Sequence, residues 1–304
     1  MLSCIGLSRY ARAAISLQLP SPLQPGSVVR AVNPGTWIDP GTDFSELRRR
    51  CSDQGWILQI PNSVRQQWKW FSGTDAQRLS DLQQAWNDTQ VDALLYLGAG
   101  WGSSRVLEAG FHFPKRSLWT IGFSDCSSLL LAQYASGSLG AIHASLAGPN
   151  NQWQRVVDLL SGRSVSPLKG RSVNTGRATG PLVVTNLTVA THLIGTAWFP
   201  SLKGALLVLE DVGEAPYRVD RMLTHWRMAG VLNGVAGIAT GRFIWQGAVE
   251  PGDFTMMGIL KERLGDLGVP LVADLPIGHG LPNLAMPIGF KAYLDAGNGL
   301  LGLS

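Results

Sequence analysis

With 304 residues, 45% of them hydrophobic and only 15% charged, the chain can bury a core as one large domain or two modest ones, and it is not a disordered polymer. A formal net charge of +4, with no basic run interleaved with aromatics, argues against nucleic-acid binding. No apolar stretch is long enough to span a bilayer, and the three cysteines (Cys4, Cys51, Cys126) lack metal-ligand spacing and cannot all pair, which points to a reducing, cytoplasmic setting.

In chain order, residues 1–25 read as an extension, either disordered or the product of a start codon placed too early. Arg9 and Arg12 lie there among small and apolar residues, without the apolar core and cleavage site of a targeting peptide. Val28 to Val32 reads as a first strand and Asp43 to Cys51 as a helix. Thr74 followed by Gln77 is a capping box, and the helix behind it places Leu79, Leu82 and Trp86 on one face. Asp92 to Leu97 is a strand feeding the loop Gly98-Ala99-Gly100-Trp101-Gly102. The apolar run from Ser117 to Phe123 is a further strand, broken at Ser124 by the start of a helix. Alternation of this kind implies a mostly parallel sheet in an α/β unit over 26–160. Residues 161–180 turn to Gly, Ser, Thr and basic side chains (Arg163, Lys169, Arg171, Arg177), the composition of a linker. A smaller α/β unit over 181–304 follows, with strands at Ala205 to Leu209 and Val269 to Leu275 and a helix presenting Val219, Met222, Leu223 and Trp226.

Three residues carry the chemistry. A tight strand-to-helix turn pushes its apical side chain out above the sheet, which exposes the Ser124 hydroxyl for attack, with helical N–H groups beneath it for an oxyanion. An ordinary N-cap serine is the alternative. Glu210 ends one apolar run and His279 follows another by a short turn, so all three sit at the carboxyl ends of strands, where sites form in open α/β sheets. Serine is a poor nucleophile until an imidazole takes its proton, and a carboxylate must hold that imidazole in the right tautomer. Glu210 could instead cap a turn, and His143, at another strand end, competes with His279 as the base. Cys126, two residues after Ser124, is expected to be buried packing. The eleven tryptophans mostly fill core, with Trp101 in the glycine loop as the exception.

These segments resemble the LD-carboxypeptidase family of serine peptidases. The resemblance rests on Ile121-Gly122-Phe123-Ser124-Asp125, on Leu209-Glu210-Asp211-Val212 continuing through Pro216 to Leu223, and on Pro276-Ile277-Gly278-His279-Gly280 with Asn283 and Pro287-Ile288-Gly289. Asn186-Leu187-Thr188 and Phe71-Ser72-Gly73-Thr74-Asp75 extend it, so that it runs from about Gly26 to the C-terminus. It implies Ser124 as nucleophile, Glu210 as orienting acid and His279 as general base, with the backbone N–H groups of Asp125 and Gly100 as oxyanion donors. Gly98-Ala99 stands where the family carries Arg-Gly in the loop, a departure that bears on substrate contacts.

By the same resemblance the chain would be a cytoplasmic homodimer that needs no metal or cofactor. It would release terminal D-alanine from a murein tetrapeptide in peptidoglycan recycling, or as the alternative hydrolyse a peptide-nucleotide antibiotic as self-immunity peptidases do. Its partner is a muropeptide or small peptide, not nucleic acid or membrane. With serine in the first unit and acid and base in the second, the active site falls at their interface. Arg105, Arg218 and Arg242 are candidate grips for the terminal carboxylate, and Trp101 is a further candidate for substrate binding. A rival reading takes the 98–102 loop as a dinucleotide-binding turn, with Asp125 as the ribose-binding acid.

Overall fold

The computed structural model describes residues 18–98, 100–248 and 252–304. Residues 1–17, with Cys4, and Ala99 of the glycine loop lie outside the described residues. The described part of the expected extension is packed rather than loose. Leu23 is buried and donates its N–H to Leu160 O at 2.8 Å, and the Trp119 indole N–H donates to Ser21 O at 2.8 Å.

The first unit holds β1 (Val28–Val32), α1 (Ser45–Ser52), β2 (Ile57–Gln59), α2 (Asp75–Asn87), β3 (Ala93–Tyr96), α3 (Ser103–Glu108), β4 (Trp119–Gly122), α4 (Ser127–Ala135), β5 (Ala141–His143) and α5 (Asn150–Leu160). Helix α2 starts where expected: Thr74 Oγ1 accepts from Gln77 N at 3.3 Å, and Gln77 Oε1 accepts from Thr74 N at 2.9 Å. Its buried face carries Leu82 and Trp86. All residues of β3 and β4 are buried, as befits central parallel strands covered on both faces. The order β2-β1-β3-β4-β5 is parallel throughout and reverses direction between β1 and β3. Sites in such sheets form at the carboxyl edge near that reversal.

Beyond α5 come β6 (Leu168–Lys169), β7 (Arg171–Asn174), β8 (Arg177–Asn186), α6 (Leu187–Thr191), β9 (Leu206–Val212), α7 (Pro216–Met228), β10 (Gly237–Ile244), α8 (Met256–Gly265), β11 (Leu271–Ala273), β12 (Met286–Pro287), β13 (Lys291–Asp295) and β14 (Leu300–Leu303). A parallel core, β8-β9-β10-β11, is flanked by β13, β14 and β6 on one side and β7 on the other, all antiparallel to their neighbours.

Two expectations change. The stretch 161–180 is not an open linker, because β6, β7 and the first half of β8 lie in it and pair with β14, β11 and β13. Its polar side chains face solvent, where Arg171 and Arg177 meet Asp274 at 3.0 Å and Asp295 at 2.9 Å. Glu210 also does not end its strand. β9 continues to Val212, since Glu210 stays in register with Asn186 of β8 and Asp211 with Phe243 of β10.

The two sheets are stitched together. β12 crosses back to pair antiparallel with β5, Met286 opposite His143. One apolar core runs from Leu129, Leu130 and Leu131 of α4 to Val183, Leu187 and Val208 of the second unit.

Candidate active site

Ser124 follows β4 and opens a short 3-10 turn, Ser124–Cys126, that leads into α4. Its φ is 57°, a left-handed conformation that costs a non-glycine residue of order 1–3 kcal/mol. That strain aims the side chain off the carboxyl edge of the first sheet. Gly122, two residues earlier, is required by packing: a Cβ there would sit 3.0 Å from both Cys126 Cβ and Tyr96 Cδ2.

His279 reaches Ser124 from the loop after β11. Its Nε2 lies 3.1 Å from Ser124 Oγ and its Nδ1 lies 2.8 Å from Glu210 Oε2. A carboxylate can only accept, so Nδ1 carries the proton and Nε2 is left to accept from the serine hydroxyl. Gly278 permits this approach. With φ of 107°, a Cβ there would fall 2.8 Å from Glu210 Oε2. The Gly278 N–H donates to Asn283 Oδ1 at 3.0 Å, and the Phe123 ring packs on the imidazole with centroids 4.3 Å apart.

Glu210 is fully buried. Burial raises its carboxyl, but the imidazoles of His143 and His279 outweigh that and hold it below the ordinary carboxylate range. Asn186 Nδ2 donates to Glu210 Oε1 at 3.2 Å and to Asp211 Oδ1 at 3.1 Å. Asn186 also caps α6, its Oδ1 accepting from Val189 N at 3.0 Å, so one amide ties the acid to a helix start. No role for Asn186 follows from the sequence alone. The available signal was an Asn before an apolar helix, which by itself indicates only a cap.

His143, the competing base, is buried behind the acid with Nε2 3.8 Å from Glu210 Oε1, beyond hydrogen-bond range. Cys126 is buried, and burial pushes its thiol up to about 12, which suits packing rather than nucleophilic work.

The glycine loop is joined to the serine turn by Asp125. Its buried carboxylate accepts from Ser103 N at 2.8 Å at the start of α3. Burial raises this carboxyl, against the amides of Ser103 and Gly102 and the charge of Arg78. A dinucleotide pyrophosphate would need that same helix start, and the Asp125 carboxylate occupies it. Trp101 is 46% exposed, and its N–H is taken by Thr36 Oγ1 at 3.0 Å, while Gly100 has φ of 108°. Neither Arg105 nor Arg218 joins the Ser124–His279–Glu210 group. Arg105 is paired with Asp75, and Arg218, exposed on α7, lies 3.6 Å from Glu214.

A hydroxyl, an imidazole and a buried carboxylate in one hydrogen-bonded line, at the seam of two α/β units, make an arrangement suited to hydrolysis through a serine hydroxyl. Residues 29–144 match the LD-carboxypeptidase N-terminal domain and residues 179–294 the LD-carboxypeptidase C-terminal domain. A Synechocystis protein provisionally named a carboxypeptidase is 40% identical over 93% of this chain and 96% of its own length. The murein tetrapeptide carboxypeptidase of Pseudomonas aeruginosa is 32% identical over 84% of this chain and 89% of its own. Among solved structures, the muramoyltetrapeptide carboxypeptidase of Oxalobacter formigenes superposes with a TM-score of 0.77 at 19% identity, covering 91% of this chain and 98% of the other. MccF in complex with glutamyl sulfamoyl guanosine gives 0.80 at 18%, covering 94% and 98%. At those identities the structures establish the two-domain fold. The chain belongs to the LD-carboxypeptidase family. It is a hydrolase of the serine-carboxypeptidase type. Among the described residues no helix is long and apolar enough to cross a membrane.

Proposed function

We propose that this protein removes terminal D-alanine from a murein tetrapeptide, cleaving the amide between the L-centre of the diamino acid and the D-residue, with Ser124, His279 and Glu210 as its catalytic triad. The observation that carries this reading is the unbroken relay from Ser124 Oγ to His279 at 3.1 Å and from His279 to Glu210 at 2.8 Å. The resemblance to a Pseudomonas aeruginosa protein named for murein tetrapeptide supports the choice of substrate.

In this mechanism His279 Nε2 takes the Ser124 proton as Oγ attacks the carbonyl carbon. The resulting oxyanion rests on the N–H groups of Asp125 and Gly100. His279 then delivers the proton to the D-alanine nitrogen as the C–N bond breaks, and a water deprotonated by His279 frees the acyl group from Ser124. Glu210 stays ionised throughout and stabilises the imidazolium. A cytoplasmic homodimer acting in peptidoglycan recycling is part of the proposal.

The test is D-alanine release from murein tetrapeptide by wild type and Ser124→Ala in parallel. Wild type is expected to release D-alanine and the variant to lose turnover while keeping its far-ultraviolet circular dichroism. Equal rates for the two would remove Ser124 from the mechanism. Absence of release by wild type, with hydrolysis of an aminoacyl nucleotide, would move the assignment to the self-immunity type of peptidase.

A further inference from the structure

We infer that Arg242 is the cation that receives the terminal carboxylate of the substrate, and so sets the preference for a free C-terminus. The inference rests on the carboxypeptidase reading above. An enzyme that removes only the last residue must recognise its carboxylate, and a guanidinium does so with two parallel N–H bonds.

The other arginines considered already have carboxylate partners. Arg105 is bidentate to Asp75, with Nε 3.0 Å from Oδ1 and Nη2 on Oδ2, and it lies over the Phe71 ring. Arg78 is buried, with Nη1 donating to Pro34 O and Gly102 O and Nη2 to Asp75. Arg218 is held by the Tyr217 hydroxyl at 3.1 Å and by Glu214, on the exposed side of α7.

Arg242 stands on β10, beside the strand that carries Glu210. Its N–H donates to Ile277 O at 2.9 Å and its Nη1 donates to Pro282 O at 2.7 Å, so one residue clasps both ends of the loop that bears His279. The guanidinium lies against Gly280, the residue after His279: a Cβ there would be 2.5 Å from Arg242 Cδ and 3.0 Å from Nε. Among the described residues no carboxylate lies within ion-pair distance of it, and a single side-chain N–H is used within the protein. A guanidinium without a carboxylate partner, half-buried against the residue that follows His279, is open to an anion. The substrate's own carboxylate is that anion.

The experiment compares kcat/KM for the tetrapeptide ending in free D-alanine and for its C-terminal amide, in wild type, Arg242→Gln and Arg242→Lys. Gln keeps an N–H for Pro282 O while removing the charge, so the loop remains clasped. Wild type is expected to favour the free acid by about 10- to 100-fold, the range of a charge-assisted hydrogen bond. Arg242→Gln should bring that ratio close to one, and Arg242→Lys should restore part of it. Loss of activity by the same factor on acid and amide would overturn the inference and leave Arg242 as a loop brace. Loss of the acid preference in Arg242→Lys, with the charge still present, would overturn it too. Failure of wild type to release D-alanine at all is a separate result, which removes the carboxypeptidase reading and this inference with it.

Discussion

Replacing the Glu210 carboxylate with the amide of glutamine keeps its volume but removes the acceptor that fixes the His279 tautomer. Nδ1 faces Oε2 at 2.8 Å, and an amide nitrogen in that place would demand an acceptor instead. Glu210→Gln is therefore expected to lower kcat by about 10⁴-fold, the scale seen when the triad carboxylate of a serine protease becomes an amide. The same substitution changes the pH dependence of stability. Because the folded carboxyl lies below its ordinary value of 4.5, it contributes stability that is complete above that pH and is lost as pH falls through the lower folded value. Urea midpoints of wild type and Glu210→Gln should thus converge as pH drops from about 5 towards 3. Curves that stay parallel would mean that the two histidines do not hold the acid down. Asp125 and Asp211 act in the opposite sense, since burial raises both, so only the difference between wild type and variant isolates Glu210. The segments around Ser124 and His279 were legible because each sets a chemical side chain at a turn after an apolar run, and Glu210 because it interrupts an apolar run, although its strand continues to Val212. The contacts that Asn186 and Gly278 make with Glu210 were not legible. That carboxylate is 24 residues away in one case and 2.8 Å from an absent Cβ in the other.

Between elements, the side chain of Asp125 joins the 3-10 turn after β4 to the start of α3. This link was not legible in the sequence, because the partner amide at Ser103 is 22 residues away. Asp125→Ala would leave the buried Ser103 and Gly102 amides without an acceptor, a cost of about 1–3 kcal/mol in unfolding free energy. It would also let the glycine loop shift from the serine turn, so kcat should fall more than KM changes. Asp125→Asn, which keeps an oxygen for the Ser103 N–H, should recover most of the stability. Denaturant unfolding and steady-state kinetics on the three proteins decide it, and wild-type values for the alanine variant would show that the two elements are positioned independently. The parallel strands of the first unit were readable as apolar runs because both faces are buried. β6, β7 and the start of β8 were not, since edge strands exposed to solvent carry the polar residues that also mark linkers.

Across the whole molecule, the division into two units hides how firmly they are joined. A pattern of strands and helices places β12 with the second unit by chain position, yet its pairing with β5 makes it an edge of the first sheet. Arg155 of α5, 7% exposed, donates through Nε to Ala285 O at 2.8 Å and through Nη1 to Ser166 O at 2.7 Å, securing the returning segment from the other side. The apolar core is continuous from α4 into β8, α6 and β9, so neither sheet can expose its face without opening the other's. Chains of this length often unfold domain by domain. Here the shared core and the crossing strand favour one transition. Tryptophan fluorescence reports both units, through Trp86, Trp119 and Trp153 in the first and Trp198 and Trp226 in the second. Urea curves from fluorescence, far-ultraviolet circular dichroism and residual activity should superimpose, because Ser124 stands on one unit and Glu210 and His279, its proposed acid and base, on the other. Arg155→Ala, which leaves the Ala285 and Ser166 carbonyls without their buried donor, should shift all three curves to lower urea together. If the fluorescence and dichroism curves separate, with activity following the earlier one, the units are held by the loop contacts around His279 and not by a common core.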